Sequence, residues 1–189
     1  IVPRLDLVNR LLISAASGAG KSTFASSWIS AIQAANRRKQ DFFIVSRVNE
    51  DRVLDDLPLM QRLDIEDIAE DPLVAEDLEN SIILFDDIAT IGNRTVRNAI
   101  LELCDDLMER GRHQNVTLLM INHSLFEGAT TKKSLTEATA VVVFPRAGNK
   151  YHLRRLFKDY VGFDCTQFKR LLSHNSRWIY VSRTYPQYL

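Results

Sequence analysis

The chain has 189 residues, with 24 Lys and Arg balanced by 24 Asp and Glu, 46% apolar residues and 25% charged ones. That length suits one domain with a core that needs neither metals nor disulfides, and the composition is that of an ordinary globular chain rather than a disordered or fibrous one. No apolar run approaches the ~18 residues of a membrane-spanning helix; Arg4, Asp6 and Arg10 interrupt the opening segment, which excludes a signal peptide.

The first element is RLLISAA, residues 10–16, an apolar strand. The chain opens close to it, as a core excised from a longer protein would. It runs into SGAGKST and then KSTFASSWISAIQAAN, residues 21–36, a helix with Phe24, Trp28, Ala31, Ile32 and Ala35 on one face. A small-residue turn followed by Lys-Ser at a helix start suits a phosphate cradle. Backbone N–H groups converge on the anion, and the helix N-terminus favours negative charge. Gly18 and Gly20 carry no Cβ to block a positive φ or the ligand's approach. Ser17, Gly18, Ala19, Gly20, Lys21, Ser22 and Thr23 form the nucleotide-holding set, Lys21 reaching the β- and γ-phosphates and the Ser22 hydroxyl ligating Mg²⁺. Ala15 stands where G-x-x-x-x-G-K-[ST] has its first glycine; a small residue suffices there if its φ is negative.

DFFIVSR, 41–47, reads as a second strand. From Glu50 to Glu79 twelve acidic residues face only Arg52 and Arg62, and Pro58 and Pro72 break the segment into short helices and loops. SIILFDD, 81–87, is a short apolar run of the kind buried in a parallel sheet. It ends in two carboxylates about 65 residues after the loop. Asp86 suits the Mg²⁺ shell and Asp87 suits a proton acceptor for an attacking water, with a turn or N-cap role for Asp87 as the plainer reading.

Residues 94–112 form an amphipathic helix with Val96, Ile100, Leu103, Leu107 and Met108 on one face and Gly111 at its end. NVTLLMINH, 115–123, is a strand closing in Asn122, a candidate holder of the attacking water, and His123, read as a loop residue. TAVVVFP, 139–145, is a further strand, followed by a basic helix over 149–160, a helix N-capped by Asp164 that ends near 173, and a strand over 178–186. Strands alternating with helices predict an α/β fold with a mostly parallel sheet and helices on both faces. Ligands of such sheets sit beyond the carboxyl ends of the strands, where each motif falls. From Arg146 to Leu189 nine Lys or Arg face only Asp159 and Asp164, and this portion is read as part of the same single domain, 1–189. An acidic middle and a basic tail mark either a charged partner surface or two solvated faces. Cys104 and Cys165 have no metal-ligand spacing and point to a reducing compartment.

The segment ERGRHQNVTLLMINH resembles the part of FtsK–HerA-type DNA-pumping ATPases where an arginine-bearing helix end precedes a strand closing in a polar sensor. With SGAGKST, ILFDD, TAVVVF and the ending IYVSRTYPQYL, the chain most resembles the genome-packaging ATPases of poxviruses, giant double-stranded DNA viruses and virophages, over most of residues 10–186. That resemblance implies a RecA-like, ASCE-type P-loop domain that assembles into a ring, binds ATP with Mg²⁺ between subunits and drives duplex DNA into a capsid. Lys21, Ser22, Asp86, Asp87 and Asn122 take the matching roles, Asn122 where the family commonly has Gln. Arg112, and after it Arg110, is the candidate arginine finger for a neighbour's nucleotide; the alternative is cations satisfying the carbonyls of a helix end. Capsid or portal vertex proteins are further candidate partners, no membrane is expected, and the setting is the host cytoplasm or a viral factory, with virion association, rather than secretion. Rival readings are another DNA-acting ATPase such as a helicase or conjugation pump, a nucleotide kinase, or a nucleotide-binding assembly protein with little turnover.

Replacing Lys21 with Ala is expected to abolish ATP hydrolysis and most triphosphate affinity, since the γ-phosphate loses its cationic partner. Turnover and equilibrium binding of the variant check this, and wild-type turnover would rule out the phosphate loop.

Overall fold

A computed structural model describes residues 8–35, 40–126 and 128–184, the side chains of 128–131 excepted. In chain order the elements are β1 (Arg10–Ser14), α1 (Lys21–Ala35), β2 (Asp41–Ser46), β3 (Met60–Leu63), α2 (Ile65–Glu70), β4 (Ser81–Asp86), α3 (Arg94–Arg110), β5 (Thr117–Asn122), α4 (Gly128–Glu137), β6 (Ala140–Val143), α5 (Lys150–Arg155), α6 (Cys165–Ser173) and β7 (Ile179–Ser182). The strands form one sheet in the order β3-β2-β4-β5-β1-β6-β7. Every pairing is parallel except β6 with β7.

Alternation along the strands divides the core between two faces. Leu11, Ile13, Ile44, Ile82, Leu84, Leu119, Ile121 and Val142 pack with Phe24, Ala25, Trp28, Ile29 and Ile32 of α1. Leu12, Val45, Ile83, Phe85, Leu118, Met120 and Val141 pack with the apolar stripe of α3. That stripe is the expected Val96, Ile100, Leu103, Leu107 and Met108, joined by Cys104. On α1 the buried stripe is shifted: Ala25 and Ile29 are inside, whereas Ala31 is half-buried and Ala35 exposed. The longer apolar side chains set the rotation of the helix, and the two alanines lie to one side of the stripe.

Three segments depart from the expected elements. The acidic stretch contains an edge strand, β3, whose sequence MQRL is half-exposed and lacks an apolar run. The segment before β6 contains α4, whose GATTKKSLTE carries almost no apolar periodicity. The basic helix over 149–160 is not continuous: α5 stops at Arg155 and Leu156–Tyr160 form a π turn, with Leu156 and Phe157 buried. The wider turn breaks the i, i+4 row Lys150–Arg154–Lys158, although all three residues remain exposed. Asp164 caps α6 as expected, accepting from the Thr166 and Gln167 amides. Positions 36–39 and 185–189, where the first helix was expected to close and the last strand and the family-like ending to finish, lie outside the described residues.

Phe85 is 1% exposed at the centre of the α3 face. Phe85→Ala is expected to lower unfolding stability by about 3–5 kcal/mol. A denaturant midpoint shifted at constant m-value is the check.

Candidate active site

The loop between β1 and α1 meets the demands of a phosphate cradle. Gly18 and Gly20 have φ of 74° and 102°, in the region that favours glycine. A Cβ on Gly20 would lie 2.8 Å from Arg177 Nη2. Among the described residues, positive φ outside glycine falls at Leu59, Asn80, Asp87 and Asn115, so Ala15 has a negative φ. That position therefore needs no glycine. Ala15 is buried in the α1-facing core, and its amide donates to the Asn122 carbonyl at 3.3 Å.

Lys21 begins α1 and is buried. Its Nζ donates to the carbonyls of Ala15 at 2.9 Å and Ala16 at 3.2 Å, and lies 3.5 Å from His123 Nδ1. Burial pulls the Lys21 pKa below its usual value, opposed by Asp86 and Asp87. Asp86 ends β4, and by alternation it shares the α1 face with Ile82 and Leu84. Burial first, then the charges of Asp87 and Asp51, push its pKa up against Lys21 and His123.

Asp87 follows in the left-handed region, at φ 53°, before a single turn of 3₁₀ helix over Ile88–Thr90 that its side chain does not cap. Aspartate is among the few residues other than glycine that enter this region readily. His123 Nε2 lies 3.2 Å from Asp87 Oδ2, and the Thr90 hydroxyl also donates to Asp87 Oδ2, at 3.2 Å. With a proton on Nε2, the His123 ring can donate to Asp87 and accept from Lys21 through Nδ1.

Ser17, Gly18, Gly20, Lys21, Ser22, Thr23, Val48, Asp51, Val53, Asp86, Asp87, His123 and Arg177 line one cleft of ≈ 490 Å³. Most of the expected site thus comes together at the carboxyl ends of β1 and β4. Asn122 does not line it. Alternation puts Asn122 in step with Leu118 and Met120, on the face away from α1, and it is buried. The polar side chain presented to the cleft from the end of β5 is His123, one residue later. Arg110 and Arg112 also lie elsewhere. They precede β5 at the amino end of the sheet, roughly 20 Å of strand away from the loop. Arg110 is paired with Asp106 and Glu76. Arg112 is exposed and makes no ion pair among the described residues.

Asp51 and Arg177 are cleft residues that sequence reasoning missed. Arg177 Nε and Nη2 donate to the Ala19 carbonyl at 3.3 and 3.2 Å, across 158 positions of chain, and no local pattern marks such a contact.

A relative from the Sputnik virophage, the uncharacterized protein V3, is 31% identical over 182 residues, which are 95% of this chain and 73% of the relative. The chain belongs to the family of that virophage protein. No family model matches it. Among solved structures it is similar to B204, the DNA-packaging ATPase of Sulfolobus turreted icosahedral virus, at TM-score 0.60 and 11% identity, with 94% of each chain covered. It is similar to the genome packaging NTPase B204 of Sulfolobus turreted icosahedral virus 2 in complex with ATP-gammaS, at TM-score 0.58 and 11% identity over 92% of each chain. The pCW3 conjugation coupling protein TcpA matches at TM-score 0.54 and 11% identity, over 76% of this chain and 51% of that one. The fold is that of a P-loop NTPase, and the resemblance to FtsK–HerA-type packaging ATPases holds at the level of the fold. No helix among the described residues is long and apolar enough to cross a membrane.

The raised pKa of Asp86 means that its ionised form lowers stability at neutral pH. The loss vanishes as pH falls below the unfolded carboxylate value of about 3.9. Without nucleotide, Asp86→Asn is therefore expected to raise Tm at pH 7 by on the order of 2–4 °C, and to bring no gain near pH 3.5. Thermal melts of both proteins across that range are the check.

Proposed function

We propose that the chain is an ATP-hydrolysing DNA translocase, the motor of a viral genome-packaging machine, acting as a ring that drives double-stranded DNA into a capsid. The observation that carries the reading is the convergence of Lys21, Asp86 and the Asp87–His123 pair on one cleft, in a fold shared with viral packaging NTPases. In hydrolysis Lys21 exchanges its loop carbonyls for β- and γ-phosphate oxygens, and the amides of the Gly18–Ser22 loop hold the rest of the triphosphate. The water attacks the γ-phosphorus as Asp87 accepts its proton, the bond from the γ-phosphorus to the β–γ bridging oxygen breaks and that oxygen leaves with ADP, while His123 holds the Asp87 carboxylate.

Ser22 and Asp86 would hold Mg²⁺, which supplies charge neutralisation on the phosphate oxygens. The donor set fits this ion. Asp86 is a half-buried carboxylate that lines the cleft with Ser22, and both are hard oxygen donors of the kind this ion takes.

The polar residue that serves the cleft from the end of β5 is His123 rather than Asn122, and its role is to hold the Asp87 carboxylate. Arg112 is the proposed finger in trans, since Arg110 is already held by two carboxylates. Neither arginine serves its own subunit's site from the amino end of the sheet. The acidic segment 50–79 holds the β3 edge and the basic segment 146–183 surrounds the β7 edge. Opposite charge on opposite edges suits head-to-tail contact between copies, and exposed Lys150, Arg154, Arg155 and Lys158 also suit duplex phosphates. Such a motor works in the host cytoplasm or viral factory, against capsid or portal proteins.

ATP turnover is expected to rise with duplex DNA of any sequence, and the rise to shrink with salt. Unchanged turnover across DNA concentrations contradicts translocation. Asp87→Asn should bind ATP yet cleave it at least about 100-fold more slowly. Mixing Arg112→Ala with Lys21→Ala subunits should restore partial turnover where an intact loop meets an intact arginine. Mixed rings without activity would remove the trans role.

A further inference from the structure

A second cavity of ≈ 220 Å³ adjoins the phosphate cleft on the side of α1. It shares Gly20, Thr23 and Arg177 with that cleft, and its remaining walls are Phe24, Ser27, Trp28, Phe144 and Trp178. The division of chemistry is sharp. The larger cleft is lined by loop amides, Lys21 and carboxylates, whereas the smaller slot is walled by four aromatic rings. Its volume lies below the ~300–1,000 Å³ of pockets for drug-sized ligands, the scale of a ring system rather than of a whole nucleotide.

We propose that this slot is the nucleobase subsite of the ATP site, a reading that rests on the phosphate-loop assignment above. Three observations place a base there. First, the shared residues make the two cavities continuous past Gly20 and Thr23, the residues on either side of Lys21 and Ser22. A nucleotide whose β- and γ-phosphates face Lys21 therefore passes its sugar and base toward the slot. Second, Trp178 is only half-buried, and it meets Phe24 edge-on with centroids 5.0 Å apart at 71°. This contact braces the indole while leaving ring surface against which a base can stack. Third, Trp28 is 3% exposed, and its Nε1 is the buried side-chain donor without a partner among the described residues. A buried indole N–H ordinarily has an acceptor, and adenine brings ring-nitrogen acceptors to the wall that Trp28 forms.

Arg177 stands at the junction of the two cavities, anchored on the Ala19 carbonyl and packed over Gly20. It follows that Arg177 lies beside the α-phosphate and sugar, between the base and the phosphates that Lys21 holds.

Both tryptophans of the chain line the slot, so intrinsic fluorescence reports its occupation directly. The experiment titrates the wild-type chain with ADP, ATP and inorganic tripolyphosphate in the presence of Mg²⁺, following tryptophan emission and, by calorimetry, affinity. ADP and ATP should quench the emission, whereas tripolyphosphate should bind without doing so. Trp178→Ala should weaken ATP and ADP by about 10-fold or more and leave tripolyphosphate affinity within about 2-fold. Trp178→Phe, which keeps an aromatic face, should restore most of the loss and exclude misfolding as its cause. Equal quenching by tripolyphosphate, or an ATP-to-tripolyphosphate affinity ratio unchanged in Trp178→Ala, overturns the base slot alone. A wild-type chain that binds neither ATP nor tripolyphosphate overturns the phosphate-loop reading and the slot with it.

Discussion

The last two carbonyls of β5 hold both halves of the site. The Asn122 carbonyl accepts the Ala15 amide at 3.3 Å, and the Ile121 carbonyl accepts the Asp87 amide at 3.1 Å. The phosphate loop and the second carboxylate are thereby tied to one strand end, with β5 lying in parallel register between β1 and β4. Adjacent strands are about 4.8 Å apart, so the loop strand and the acidic strand stand roughly 10 Å apart, a gap suited to a phosphate chain and its cation. These two hydrogen bonds explain why Asn122 serves through its backbone while the next residue, His123, turns into the cleft. A slip of one residue in β5 would exchange those roles and move its whole apolar set to the wrong face.

The site is built at a cost in stability. Lys21 is buried and Asp86 half-buried, and their pKa values move in opposite directions, each toward its neutral form. An Asp in the left-handed region adds backbone strain at position 87. Each feature is unfavourable alone, and the two charges are of the kind that an anion beside Lys21 and a cation beside Asp86 would offset. Elsewhere the molecule compensates with an ordinary core. Phe85, Phe144 and Phe157 are fully buried, and Cys104 is embedded so deeply that burial pushes its thiol up to about 12.

Much of this was legible in the sequence where local pattern and function coincide. The strand–loop–helix around Lys21, the apolar run into Asp86 and Asp87, and the face of α3 all follow from residues adjacent in the chain. The failures have physical causes. The edge strand β3 and helix α4 are weakly amphipathic and exist because neighbouring elements hold them. The π turn after Arg155 is set by the burial of Leu156 and Phe157, which no charge spacing reveals. Asn122 and His123 are adjacent polar residues, and only the alternation of β5 decides which one meets the cleft. Arg177 and Trp178 join the site through a crossover that brings the β7 entry against α1, a contact invisible to any local window.

We propose one nucleotide site at the carboxyl ends of β1, β4 and β5. Sheet order, buried charges and the shared P-loop fold all bear on it. A crystal structure of the chain with a non-hydrolysable ATP analogue and Mg²⁺ tests it most directly. The β- and γ-phosphates are expected within hydrogen-bonding distance of the Gly18–Ser22 amides and Lys21 Nζ, with the metal between Ser22 and Asp86. A nucleotide seated instead in the ≈ 260 Å³ cavity on the other side of the loop, against Ser124, Asn149 and His152, would contradict it.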